Sequence, residues 1–303
     1  MRKSCLLALV LAILAGIRIA SADPVSELSG FSIFDKIDLA QLAKSDGKTA
    51  HGPPMSNSRF LSVQSVYVLP GAITESVFAR IKGAPDNGPV RALVNATAKM
   101  GNDLQVSREE AARWKGGNPA LSAAGGDFWI GVLAGRGRAF VSGGTSAEAP
   151  YDHAGPAVRA GEELNGLLRE QSKIRKQFAG LLDNSGIGRG AGSLKPDLYW
   201  ELLNADNVAV ATLGAFYSRN ANGAVQVADT FYYASGGYYV TLTLHQMWPV
   251  EIDGKPHTLV WRGDMVSSAA LADLHGVEKL GSESAMMKDI AKSVALFRKE
   301  RAR

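Results

Sequence analysis

Three residues near the C-terminus have types and spacing suited to chemistry: His245, Arg262 and Asp264. An imidazole, a guanidinium and a carboxylate within a few ångströms of one another bind anionic or polar ligands. A histidine oriented by an aspartate is also a general base. Thr243, Tyr232 and Tyr239 would complete such a patch with a hydroxyl and two aromatic surfaces. The alternative is a solvated salt bridge on a sheet surface, which contributes little.

The elements that would place these residues follow from turn chemistry. Between Val208 and Asp264 apolar and polar residues alternate, and Asn222-Gly223, Gly236-Gly237 and Asp253-Gly254 interrupt the alternation. Each dipeptide favours a two-residue hairpin turn, because glycine and asparagine tolerate positive φ. Three hairpins predict a four-stranded antiparallel meander. Turn position sets register. A two-residue turn at Gly236-Gly237 pairs Ser235 with Tyr238, Tyr233 with Val240, Phe231 with Leu242, Asp229 with Leu244 and Ala228 with His245. The turn at Asp253-Gly254 pairs Ile252 with Lys255, Trp248 with Leu259, Gln246 with Trp261 and His245 with Arg262.

The expected sheet then has a dry face with Val225, Val227, Phe231, Tyr233, Val240, Leu242, Leu244, Trp248, Leu259 and Trp261. Its wet face carries Thr230, Tyr232, Tyr239, Thr241, Thr243, His245, Arg262 and Asp264. Cross-strand neighbours lie about 5 Å apart and diagonal ones about 7–8 Å, close enough for a shared ligand. Asp229 falls on the dry face in this register, where a lone carboxylate is costly; a bulge or an edge position would relieve it.

Elsewhere, Arg59–Leu69 reads as a strand, and Ser107 with Glu110 forms an S-x-x-E capping box that opens a helix. Helices are expected over 31–43, 74–82, 90–100 and, longest, 158–182. Two short apolar runs around Gly135-Arg136-Gly137 predict a hairpin over 128–141. Helices over 269–280 and 282–298 should cover the dry face of the meander. The fold class is α+β: a C-terminal four-stranded antiparallel meander packed against helices, after a mixed helix and strand N-terminal part. The glycine-rich stretch 183–196 separates residues 23–190 from 191–303, as two domains or as parts of one continuous domain.

Met1-Arg2-Lys3, an apolar run from Cys5 to Ile17 and Ala20-Ser21-Ala22 have the three parts of a signal peptide, residues 1–22. The run is shorter than the roughly 20 residues that cross a bilayer, so no transmembrane anchor is expected after cleavage. Removal of Arg2, Lys3 and Arg18 leaves 30 basic and 29 acidic side chains, a balance that gives nucleic acid no support as a partner. Cys5, the sole cysteine, leaves with the leader, so a disulfide, a thiol nucleophile and a thiolate metal site are excluded. Asn95-Ala96-Thr97 is a formal glycosylation sequon.

His51 and His153 lie in loops without a second ligand at metal spacing, and no metal site is expected. Gly47-Lys48-Thr49 lacks the first glycine of a phosphate loop, and Gly186, Gly188 and Ala191 follow a helix where a dinucleotide site needs a strand. Ser45 and Lys48 match S-x-x-K without its partner motifs, and G-x-S-x-G is absent. No cofactor is expected. The leading reading is an exported, periplasmic or secreted, non-catalytic binding or interaction protein; its partner would be a small molecule or an envelope protein. The alternatives are a hydrolase or lyase using His245 with Asp264, and a structural component of an envelope assembly.

Overall fold

The computed structural model describes residues 23–72, 104–114, 126–188, 192–205, 208–274 and 276–301. The leader expected over 1–22, the sequon and the helices expected over 74–82 and 90–100 lie outside these residues.

The architecture is α+β, built on a seven-stranded antiparallel sheet. In chain order the strands are β1 Lys48–His51, β2 Phe60–Pro70, β3 Asp197–Ala205, β4 Val208–Ala221, β5 Ala224–Ala234, β6 Tyr238–Ile252 and β7 Lys255–Ser268. In space they run β1-β2-β7-β6-β5-β4-β3. The expected meander is present as β4 to β7, and the sheet extends it by β3 on one side and by β2 and β1 on the other. Strands from both sides of the glycine-rich stretch 183–196 therefore share one sheet.

Two of the three turns are as expected. Asn222 and Asp253 adopt φ of 51°, followed by Gly223 at 82° and Gly254 at 71°. These are the positive values a two-residue turn demands. Ile252 faces Lys255, Trp248 faces Leu259 and His245 faces Arg262. The middle turn differs. Val227 faces His245, Asp229 faces Thr243 and Phe231 faces Thr241, one residue away from the expected register. The reason lies in Ser235. Its N–H donates to the Ala211 carbonyl and its carbonyl accepts from Gln105, so it is withdrawn from the hairpin ladder and joins Gly236 and Gly237 in a longer connection. A slip of one residue turns every β5 side chain to the opposite face. Val225, Val227, Asp229 and Phe231 thus share a face with His245, while Thr230 lies opposite Leu242 on the other side.

Both faces are covered. One carries Val66, Leu213, Ala228, Leu242, Leu244, Trp248 and Trp261. Helices α1 Pro24–Phe31, α4 Gly126–Gly143, α5 Ala160–Glu170, α6 Ser172–Gln177 and α7 Ala179–Ser185 pack onto it. The short helices α2 Leu39–Ala43 and α3 Arg108–Ala112 sit beside them, and α8 Ala269–Ala272 follows β7. The last helix, α9 Gly276–Arg301, lies on the other face, where Val294 and Phe297 meet Tyr67, Phe216, Val227, Met247 and Val260. The C-terminal helix was expected on the face bearing Trp248 and Trp261. The N-terminal helices hold that place instead, and α9 dries the face expected to be wet.

Four helical expectations change, the first being that the helices expected over 269–280 and 282–298 are instead the short α8 and the single long α9. The 128–141 segment is the helix α4, not a hairpin. Trp129, Val132, Leu133, Arg136 and Phe140 are its buried residues, at helical spacing that the surrounding glycines obscure. The helix expected over 158–182 is three short helices, α5 to α7, broken at Gln171 and Phe178. The 31–43 segment is non-helical between α1 and α2. The capping box at Ser107 and Glu110 forms with both of its hydrogen bonds and opens α3.

Candidate functional site

The antiparallel register lays two rows of side chains across the face beneath α9. One row reads His51, Val63, Asp264, Thr243 and Asp229; the next reads Thr49, Ser65, Arg262, His245 and Val227. Five strands contribute, so the cluster is positioned by ladder hydrogen bonds and not by a loop. His245 is 7 % exposed and Asp264 5 %.

Asp264 anchors the cluster. Arg262 donates from Nε to Oδ2 at 2.8 Å and from Nη2 to Oδ1 at 2.7 Å. Thr243 Oγ1 donates to the same Oδ1 at 3.0 Å. The two residues are two apart on one strand and therefore point the same way. Burial works against the Arg262 charge, but the adjacent carboxylate outweighs it and raises the guanidinium pKa above its ordinary value. Burial also raises the Tyr67 phenol.

Beside these residues lies a cavity of about 240 Å³, walled by Tyr67, Phe216, Asp229, Thr243, His245 and Arg262 and roofed by Ser293, Val294 and Phe297 of α9. The Asp229 carboxylate accepts a hydrogen bond from the Tyr199 hydroxyl. A cation, an imidazole, a carboxylate and a hydroxyl thus converge on one small space.

The expected residues divide. Thr243, His245, Arg262 and Asp264 come together. Tyr232 and Tyr239 do not join them, and bulges are the cause. Gly214 faces Phe231 while Leu213 faces Tyr233, which leaves Tyr232 as the extra residue. Tyr232 and Tyr233 then both enter the helix-covered core. Tyr232 stacks on Phe140 at a ring separation of 3.8 Å. Tyr239 is displaced in the same way between Tyr238 and Val240. It stacks on Tyr151 at 5.9 Å and lies under Arg59, 5.8 Å from its guanidinium carbon. Asp229, expected on the dry face, instead lines the cavity, as the register slip requires.

Sequence reasoning missed a second polar centre, under α4. Arg136 is 1 % exposed. It donates from Nε and Nη2 to the two Glu110 oxygens at 2.8 and 2.7 Å, and from Nη1 to the Ala149 carbonyl. Glu148 lies 3.4 Å from Nη1, and the Tyr151 and Tyr233 rings flank the guanidinium at 5.2 and 5.0 Å. Glu110 holds the Arg136 fork and also accepts from the Ser107 N–H at 2.7 Å. Glu148 has the longer contact, and burial pushes its carboxyl up to about 8. The available signal was the helical spacing of Arg136 with Trp129, Val132, Leu133 and Phe140. Hydrogen bonds to the Glu110 carboxylate and two flanking rings engage the Arg136 guanidinium, which suits a structural role.

His51 is exposed on β1, and His153 donates its backbone N–H to Val106 away from the cavity. Among the described residues no group of three or more His, Cys, Asp or Glu is placed to hold a metal, and no helix is long and apolar enough to cross a membrane. In comparison with known proteins, no family model, no curated protein and no solved structure matches the chain.

Proposed function

We propose that the protein is an exported binding protein that takes a small polar ligand between the sheet and α9. The observation that carries this reading is the convergence of Asp229, Thr243, His245 and Arg262 on one cavity of about 240 Å³. Few convergent polar groups in a recess with apolar walls are the usual form of a small-molecule site. The volume suits a compact molecule, and the mixed charges suit one that bears both an anionic and a hydrogen-bonding group. The signal-peptide pattern of residues 1–22 supports export.

Arg262 and Thr243 both donate to the Asp264 carboxylate, which holds the guanidinium in place for an anionic group, and this supports the binding reading.

The test is a thermal-shift screen of the mature chain against zwitterionic amino acids, small dicarboxylates and inorganic phosphate. A ligand selective for the folded state adds about 2.7 kcal/mol at a hundredfold excess over its Kd. At least one compound should raise Tm, and His245→Ala should remove the rise. The reading fails if nothing shifts the wild type, or if the shift survives in His245→Ala.

A further inference from the structure

A second cavity, of about 390 Å³, opens on the opposite side of the sheet, between α4 and the edge formed by β3 and β4. Its walls are mostly apolar: Leu133, Leu198, Trp200 and Leu213 contribute side chains, and Val141 at the rim is 59 % exposed. β3 ends the strand order, so the cleft runs along a sheet edge.

Three observations point to an occupant. Tyr232 lines the cleft, and its hydroxyl makes no hydrogen bond among the described residues, so the one phenol oxygen in an otherwise apolar wall is open to a ligand in the cleft. Gly137 leaves room beside it, since a Cβ built on that glycine would come within 3.9 Å of the Tyr232 oxygen. Arg138, on the next residue of α4, lines the same cleft, is exposed, and makes no ion pair or hydrogen bond among the described residues.

We infer that this cleft binds a monocarboxylate with an unbranched aliphatic chain. The chain lies along Leu133, Leu198, Trp200 and Leu213. The carboxylate accepts from the Tyr232 hydroxyl beside Gly137 and meets the Arg138 charge. The apolar walls supply burial of the chain's methylene groups. The phenol and the guanidinium select an anionic acceptor over a neutral or cationic head. This site is separate from the His245 cavity, which lies beneath α9 on the other face.

The probe is sodium decanoate, with decyltrimethylammonium as the cation of like chain length, titrated into the mature chain by calorimetry and by tryptophan fluorescence. Decanoate should bind and quench, and the cation should bind at least tenfold more weakly. Tyr232→Phe, which removes only the unpartnered oxygen, should weaken decanoate about tenfold. Gly137→Leu, which fills the space beside that oxygen in a helix that tolerates leucine, should abolish binding, while His245→Ala leaves it unchanged. If Gly137→Leu does not fold, Arg138→Glu at an exposed position should weaken decanoate and spare the cation. The inference is overturned if decanoate does not bind the wild type, if both probes bind alike, or if whichever of Gly137→Leu and Arg138→Glu folds binds decanoate as the wild type does.

Discussion

Arg136 shows how one buried cation can carry two carboxylates unequally. Glu110 takes the fork of the guanidinium and a backbone N–H, while Glu148 keeps one contact of 3.4 Å, and its Oε1 has no partner among the described residues. With both acids ionised the cluster would hold a net negative charge out of water, which is expensive. Burial therefore favours protonated Glu148 and pushes its carboxyl from 4.5 up to about 8. The stability this contributes is complete below about pH 4.5 and is lost as pH rises through about 8. The expected loss is on the order of a few kcal/mol. Urea unfolding at pH 5 and pH 9 measures it, and Glu148→Gln should flatten the difference; an unchanged slope in that variant would assign the effect to another group. At the His245 cavity the same scale explains what the sequence could show. His245, Arg262, Asp264 and Thr243 lie on two strands joined by a tight turn, so their side was legible from the turn alone. Asp229, Tyr232 and Tyr239 depend on a slip and two bulges, which leave no mark in local alternation.

Among the elements, α1 is held to the sheet by polar contacts more specific than its length suggests. The Glu27 carboxylate accepts from the Gln177 amide, from Gln246 Nε2 at 2.8 Å and from Trp248 Nε1 at 2.9 Å. Leu28 and Phe31 on the same helix are buried, with Phe31 edge-on to Trp261 at 4.9 Å. Glu27→Ala would leave Gln246 Nε2 and Trp248 Nε1 without an acceptor, at about 1–3 kcal/mol for each group that water cannot reach, while Gln177 Nε2 keeps Gln246 Oε1 at 3.1 Å. We expect a drop in Tm and faster amide exchange over residues 24–31. Wild-type exchange there in Glu27→Ala would show that apolar packing alone holds the helix. Element identity was legible where one local rule dominated: the capping box at Ser107, the strand from Phe60, and the two turns with asparagine or aspartate before glycine. It was illegible where tertiary packing overrode the local pattern. Glycines around Arg136 suggested a turn, yet the buried stripe on one side of α4 rewards a helix. Helix α9 leaves Leu280 and Leu296 exposed, yet the residues that pack it down, Met286, Ile290, Val294 and Phe297, recur at helical spacing and were legible as one stripe, whereas which sheet face that stripe covers was not.

For the whole molecule, the broad class was accessible and the layering was not. Alternation across β4 to β7 implied an antiparallel sheet, but β2 joins it from far away in the chain, and nothing local announces that pairing. The export reading makes its own forecast at this scale. Mass spectrometry of protein recovered outside the cytoplasm should find a chain beginning at Asp23; intact residues 1–22 on that material would refute cleavage after Ala22. The partnership of β2 with β7 has a further bearing on the order of events during synthesis. Gln64 receives the indole hydrogen of Trp261, 197 residues later, and β2 is flanked on its inner side by β7 alone. A ribosome must therefore synthesise through β7, 197 residues beyond Gln64, before β2 can join the sheet. Contacts this remote slow folding, and until β7 emerges β2 has only the short β1 to pair with.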